Sequence, residues 1–380
     1  MGDAAQLDCG DAVSGVRGWC PGALAPMESG DGLVVRIRPR GGRLDAAQGA
    51  AIADAAEAHG SGVIELTGRA NLQLRGVTAA SHPALLHDLR AAGLLDADAA
   101  TERRRNVMVT PFADAEADAL AAALEAALVA SDLDLPAKFG FAVDTGLSPV
   151  LAQDPADIRV ERGADGLILR ADGMAQGTAY GGPQDALALA QWFLGEGGAR
   201  DGRGRMASLI ARGARPAGAT TPAPMAAPPP APGTCPQGIL AALEFGQITP
   251  DTLRRLSRLA PLRLTPWRMI LAEGARALPP LPDLILDPAD PRLALRACPG
   301  APACASGLAE TRALARRLAP LVPAGDVLHV SGCAKGCAWP RAAALTLTAT
   351  AEGFDLIRHG RAADPAALRG LHPDQLPKVL

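Results

Sequence analysis

The sequence predicts an α+β protein built as a duplicated pair of halves with a cleft between them. Three observations predict it. Short alternating strands are followed by Ala-rich helices in the order strand–helix–strand–strand–helix, the pattern of a sheet with helices on one face. The phrase Ile64-Glu-Leu-Thr67-Gly-Arg69 is echoed by Leu262-Arg-Leu-Thr265-Pro-Trp-Arg268, each after a helix. Between these stretches Gly213–Pro236 is rich in Pro, Ala, Gly and Thr, cannot build a core, and reads as a semi-extended linker.

The elements follow in order. Residues 1–30 read as an irregular segment that wraps a later domain. Its one distinctive phrase is Gly18-Trp-Cys-Pro-Gly22, where Cys20 reads as part of a packed turn before a ligand or reactive thiol. Leu33–Arg38 alternates like a half-buried strand, and Leu44–His59 is helical with Asp45 placed to cap it. Val63–Leu66 is a strand that Thr67–Arg75 continues, and Ser81–Ala92 is a helix with Ser81 as cap and Gly93 as stop. Residues 31–98 thus form the first half-domain.

A second unit spans 99–212, with a helix over 113–130, a strand over 138–143, a hairpin at 158–169 and helices near 184–193 and 203–212. After the linker (213–236, with Cys235 a bystander), residues 237–288 repeat the first half-domain and 289–380 form the last unit. There Leu308, Thr311, Leu314, Ala315 and Leu318 share a helical face, and Val327–Val330 and Leu345–Thr348 read as strands.

Composition bounds the function. The chain has 380 residues, enough for two or three domains, with 48% hydrophobic residues but only 3% aromatic ones. So few aromatic platforms exclude base stacking on single-stranded nucleic acid, and a net charge of −3 excludes a general polyanion binder. No apolar run approaches the roughly twenty residues that span a bilayer. The acidic first residues make no signal peptide, so a soluble cytoplasmic protein is expected.

Four of the seven cysteines fall in one stretch, as Cys298-x5-Cys304 and Cys333-x3-Cys337. Two pairs joined by a helix and a strand can converge on one polynuclear site. Gly300, Gly332 and Gly336 let the backbone approach bulky sulfide, while Pro299, Pro302 and Pro340 pin the loops. Structural zinc spaces its pairs by two to four residues, so a five-residue gap fits it poorly. Disulfides are unexpected in a reducing compartment. An iron–sulfur cluster is the expectation, with structural zinc in a binding scaffold as the alternative.

These residues resemble the cluster motif of the nitrite and sulfite reductase haemoprotein family. In that family four cysteines hold a [4Fe–4S] cluster beside a sirohaem, and the last cysteine bridges the two. The resemblance implies ferredoxin-like half-domains and cluster-domain halves around the pseudo-twofold. Polar side chains stand at alternate positions of Thr67-Gly-Arg69-Ala-Asn71-Leu-Gln73-Leu-Arg75, which in an extended chain would line one face of a cleft. Planar Arg forks there suit carboxylates. Arg69 and Gln73 match the family's Thr-x-Arg-x-x-x-Gln motif. Arg105-Asn106-Val107, with Pro111, resembles its Arg-Asn-Val segment. Lys138 matches the first lysine of Lys-x-Lys, but Gly140 replaces the second, which counts against six-electron reduction of an oxyanion.

That departure, with Trp19-Cys-Pro-Gly, Leu135–Phe141 and Ser331–Cys337, resembles the branch of the family that oxidises a precorrin in aerobic cobalamin synthesis. The resemblance covers nearly the whole chain. It implies a monooxygenase that uses O2 to hydroxylate precorrin-3A at C-20 and close a lactone, with sirohaem replaced by substrate. It also implies an electron donor, an NADH-linked reductase or a ferredoxin-like protein. A mononuclear non-haem iron is attributed to the branch, and the six histidines offer no recognisable two-His-one-carboxylate spacing for it. The competing expectation is a sirohaem-dependent sulfite or nitrite reductase. In either case Arg69, Asn71, Gln73, Arg75, Arg105 and Lys138 are the candidate ligand-facing residues, and Cys298, Cys304, Cys333 and Cys337 the candidate cluster ligands.

Overall fold

Alternating apolar residues and well-capped Ala-rich helices fold as their periodicities dictate, and the computed structural model describes residues 21–380. In chain order, the first part contains β1 (Met27–Ser29), β2 (Gly32–Ile37), β3 (Arg43–Leu44), α1 (Ala46–His59), β4 (Ile64–Leu66), β5 (Leu72–Val77) and α2 (His82–Ala91). It continues with α3 (Ala99–Arg104), β6 (Val107–Val109), α4 (Ala115–Ala130), β7 (Phe141–Asp144), β8 (Ile158–Gly163), β9 (Gly166–Ala171), β10 (Gln176–Ala179), α5 (Pro183–Gly195) and α6 (Met206–Ala211). Next come β11 (Thr221–Pro222), β12 (Gly233–Cys235), β13 (Gly238–Leu243), β14 (Gln247–Ile248), α7 (Pro250–Leu259), β15 (Leu262–Leu264), β16 (Met269–Glu273) and β17 (Leu284–Ile285). The last unit holds β18 (Leu295–Ala297), α8 (Arg312–Leu318), β19 (Leu328–Ser331), β20 (Ala343–Thr350), β21 (Gly353–Gly360) and β22 (Leu368–Leu371).

The duplication is complete in the sheets. One has the order β1-β2-β5-β4-β14, and its counterpart has β12-β13-β16-β15-β3. The last strand of each comes from the other half: β3 pairs with β15, and β14 with β4. The two halves therefore exchange a two-residue strand. Each exchanged strand follows a tight turn with two successive left-handed residues, Gly41 and Gly42 in one copy and Phe245 and Gly246 in the other. Helices α1 and α7 then pack against each other so closely that a side chain at Gly49 would meet Ser257 Cβ at 2.3 Å. Asp45 caps α1 with a reciprocal Gln48 bond, and Thr249 caps α7. One apolar core, including Ile37, Ile52, Leu72, Leu253, Leu262 and Ile270, runs through both halves.

The other two sheets repeat one topology as well. Strands β6, β7 and β8 run parallel before the antiparallel β9, and β18, β19 and β20 run parallel before β21. Phe139 packs edge-to-face against Phe141 and tilted against Phe193 in the core of the first.

Three expectations change. The opening segment is not wholly irregular, because β1 adds an edge strand to β2; Trp19 and Cys20 lie outside the described residues. The linker also contributes edge strands, with β11 joining β10 and β12, which contains Cys235, joining β13. Thr67–Arg75 is not one extended strand. Thr67 and Asn71 close a turn through a 2.8 Å backbone hydrogen bond, Ala70 sits at φ 53°, and β5 begins only at Leu72.

Candidate cofactor and substrate site

Adjacent parallel strands deliver their following loops to the same edge of a sheet, where α/β proteins commonly bind ligands. Cys298 leaves β18 and Cys333 leaves the neighbouring β19, so both cysteine loops meet. Glycines allow their close approach. A Cβ on Gly332 would lie 3.1 Å from Gly300 Cα, 3.3 Å from Gly307 Cα and 3.5 Å from Cys298 Sγ. The Gly332 N–H donates to Cys298 Sγ at 3.2 Å, and Lys335 Nζ reaches Ser306 Oγ at 3.1 Å between the loops. Cys337 is exposed, yet its thiol sits inward enough that partial burial pushes its pKa up. The charges of Cys333, Cys298 and Cys304 push it further, against Lys335.

Four soft thiolates on two glycine-lined loops suit a bulky cationic iron–sulfide core, which relieves their mutual repulsion. Among the described residues no three His, Cys, Asp or Glu side chains, the four cysteines included, are grouped closely enough to hold a metal ion.

The first half clamps the first cysteine loop. Arg75 is buried, with Nε and Nη2 on Asp31 at 2.8 and 2.7 Å, and Nη2 also donates to Ala303 O at 2.8 Å. Ser29 Oγ donates to the same carbonyl, and Gly30 lets the chain pass beside Ala305 N. Arg75 is therefore a scaffold residue and not the ligand-facing one expected, because Asp31 and the loop consume its fork. The same correction holds for Arg105. It is 3% exposed, with a bidentate pair to Asp96 at 2.8 and 2.8 Å, a bond to Arg38 O and Glu125 at 3.5 Å. Burial would lower its pKa, but Asp96 and Glu125 raise it.

Gln73 joins a buried hub. Its Nε2 donates to Glu65 at 2.8 Å, its Oε1 accepts from Arg36, and Arg312 donates to Glu65 at 2.6 Å. Burial would raise the Glu65 pKa, but Arg312 and Arg75 hold it low. Asn71 is buried with Nδ2 unpartnered. Arg69 donates to Pro155 O at 2.9 Å, and Lys138 is exposed in the turn before β7. The five alternating side chains do not share one face, because the turn at Ala70 rotates Thr67 and Arg69 away from Gln73 and Arg75.

Gly140 has a local reason. A Cβ there would stand 2.7 Å from Asn106 Nδ2 and 3.2 Å from both Asn106 O and Arg69 Nη1. A side chain at this position requires Asn106 and Arg69 to shift.

A cavity of about 530 Å³ opens between the turns at Gly68 and Pro266, with Asp154 and Pro155 from the first half on one side. Trp267 and Arg268 from the second half line it, as do Arg296, Trp339 and Arg341 from the cysteine unit, and the linker's Pro229 and Pro230 border it. The linker is thus part of the wall. Arg268 occupies the turn position of Ala70, with the same left-handed φ (61° against 53°). Its Nη2 donates to Ala338 O at 3.1 Å, beside Cys337, while its buried Nη1 has no partner. Burial, then Arg296 and Arg312, lowers its pKa to about 10.

Nearby His329 on β19 is fully buried, with neither ring nitrogen hydrogen-bonded, and burial and Arg268 bring it down to about 4. Asp154 accepts from Trp267 Nε1 at 3.0 Å, and burial pushes it up to about 6 against Trp267, Arg159 and Arg341. Sequence reasoning missed Arg268, Arg296, Arg341, Asp154 and His329. The repeat carried a signal for Arg268, but matching it to Arg69 hid that it takes Ala70's place.

Residues 25–92 match the nitrite/sulfite reductase ferredoxin-like half domain. A precorrin-3B synthase from a Sinorhizobium species is 30% identical, over 93% of this chain and 85% of that protein. The chain belongs to the precorrin-3B synthase family. It is therefore an enzyme. The structure of the Mycobacterium tuberculosis NirA protein superimposes with a TM-score of 0.64, covering 91% of this chain and 79% of that one at 18% identity, and so shares the fold. Among the described residues no helix is long and apolar enough to cross a membrane.

Proposed function

We propose that this protein is an O2-dependent monooxygenase that converts precorrin-3A to precorrin-3B in aerobic cobalamin synthesis. One oxygen atom enters at C-20 with lactone closure from a ring-A acetate, and the other leaves as water, reduced by an external donor (an NADH-linked reductase or a ferredoxin-like protein). The observation that carries this reading is the cavity beside Cys337: it is open, large and walled by arginines, and so fits a polycarboxylate tetrapyrrole as substrate. The family membership supports it.

A [4Fe–4S] cluster held by Cys298, Cys304, Cys333 and Cys337 would supply electrons to this site. No ligands are assigned to a mononuclear non-haem iron. The remaining roles belong to side chains. Arg75 and Ser29 fix the Cys298–Cys304 loop through Ala303 O. Arg69 and Lys138 stand on the first-half side, where they can meet acetate or propionate groups. Asp154 can hold or release a proton at the cavity wall near neutral pH.

The sirohaem-dependent reductase is the second reading, and Gly140 in place of the second lysine weighs against it, since a side chain there requires Asn106 Nδ2, 2.7 Å from its Cβ, to shift. Anaerobically purified protein tests both. Iron with acid-labile sulfide, no Soret band and O2-dependent turnover of precorrin-3A are expected. A Soret band that survives gel filtration would favour the reductase, and zinc without sulfide would exclude both.

A further inference from the structure

We infer that Arg268, Arg296 and Arg341 form a carboxylate-recognition wall contributed by the second half, and that this wall selects a macrocycle bearing several carboxylates. The inference rests on the tetrapyrrole reading and adds the residues that read the ligand's charge.

The first argument is an unpaired donor. Arg268 Nη1 is buried and has no partner, although its other terminal nitrogen is anchored on Ala338 O. A guanidinium N–H left unsatisfied in a protein interior costs a large part of its hydration, so the site is incomplete without an acceptor. Arg268 also holds a left-handed backbone angle, 61°, which an arginine adopts only when its surroundings enforce it. That geometry aims the side chain from the turn between β15 and β16 toward the cysteine unit.

The second argument is charge without an ion pair. Most interior arginines here are paired: Arg75 with Asp31, Arg105 with Asp96, Arg263 with Glu273 and Asp118. Among the described residues none of Arg268, Arg296 and Arg341 forms an ion pair. Arg296 donates to the carbonyls of Leu293 and Leu295, and lies 5.0 Å above the Trp339 ring. Arg341 lies 5.6 Å from the same ring. Contact with an indole positions a cation without neutralising it. Arg268 and Arg296 repel each other beside one cavity, Arg341 shares that cavity with the single carboxylate of Asp154, and a ligand's carboxylates match all three planar forks. A single small anion would leave most of the roughly 530 Å³ empty; a macrocycle with carboxylates on its rim would not.

The test uses the full-length protein and uroporphyrin III, a planar octacarboxylate, as probe, followed by tryptophan quenching, since Trp267 and Trp339 line the cavity. Wild type is expected to bind it, with affinity falling steeply with salt. Arg341→Gln, at the exposed rim, and Arg268→Gln are each expected to weaken binding roughly tenfold or more, with a shallower salt dependence. Iron content equal to wild type shows that Arg268→Gln keeps the cysteine loop. Wild-type affinity in both variants, with binding lost instead in Arg69→Gln and Lys138→Gln, would overturn the inference and leave the tetrapyrrole reading standing. No binding of uroporphyrin by wild type would overturn both.

Discussion

Replacing Arg105 by Gln separates a scaffold arginine from a ligand-binding one. The guanidinium is 3% exposed and makes a bidentate pair with Asp96, a 2.8 Å bond to Arg38 O and a 3.5 Å contact with Glu125. Removing it leaves two carboxylates, with side-chain exposures of 2% and 4%, to the half-exposed Arg40 alone, 3.4 Å from Asp96 and 3.8 Å from Glu125. Breaking a buried pair costs about 3–5 kcal/mol, and the residual Arg40 contacts put this loss at the lower end. That is a large part of a typical stability of roughly 5–15 kcal/mol. With a urea m-value near about 3 kcal/mol per molar, the unfolding midpoint should fall by roughly 1 M or more. The pH dependence has a definite sign. Burial raises the Glu125 pKa above its unfolded value despite Arg105, and without Arg105 it rises further. The folded state then favours the protonated acid, so the deficit is full at neutral pH and shrinks as pH falls through that raised value. Chemical denaturation monitored by far-UV circular dichroism at pH 7 and pH 5 measures both. A midpoint within about 0.3 M of wild type, together with lost porphyrin binding, would refute the scaffold assignment and return Arg105 to the ligand face.

Other consequences are open to measurement. Asp154, at about 6, is the one carboxylate among the cavity-lining residues, so porphyrin affinity should rise as pH falls from 8 through 6 while the acid takes up its proton. Asp154→Asn should remove that rise and hold the tighter value throughout; an unchanged profile would place the titration elsewhere. Gly140→Ala should destabilise by about 1–3 kcal/mol, because the methyl enters the space of Asn106 and Arg69. Gly140→Lys should lose more, read as a lower thermal midpoint, and a fully stable lysine variant would void the steric account. Gly332→Ala presses the two cysteine loops apart at Gly300 and Gly307 and should lower iron and sulfide per chain by about half or more, measured colorimetrically.

Much of the architecture was legible because it depends on local pattern. The alternation in Leu33–Arg38, the cap at Asp45 and the glycine stop at Gly93 each encode their element within a few residues. The cysteine loops were legible for the same reason, since spacing and glycine content are local. The first-half ligand face was not. A two-residue period assumes extended backbone, and nothing in Thr67-Gly-Arg-Ala announces that Ala70 turns left-handed. The partners of Arg75 and Arg105 lie 44 and 9 residues away, so no motif shows that their charges are spent internally. Arg312, 247 residues from Glu65, completes the hub around Gln73, a contact that only the assembled sheets create.

The duplicated frame explains how one cavity can carry two different walls. Exchange of β3 and β14, the α1–α7 contact and the shared core tie the two halves together at several points. Opening the cleft by a hinge would break both exchanged strands and expose that core, so the cavity is preformed and ligand entry costs little conformational work. Discrimination then falls to the wall's charge. The two copies have diverged at the position where symmetry makes them comparable: the left-handed residue of the turn is Ala70 in one half and Arg268 in the other. The small residue leaves room beside Gly68, and the large one projects an unpaired cation toward the cysteine loops. The copy that feeds the strand before Cys298 is thus also the copy that supplies the arginines Arg268, Arg296 and Arg341 to the cavity.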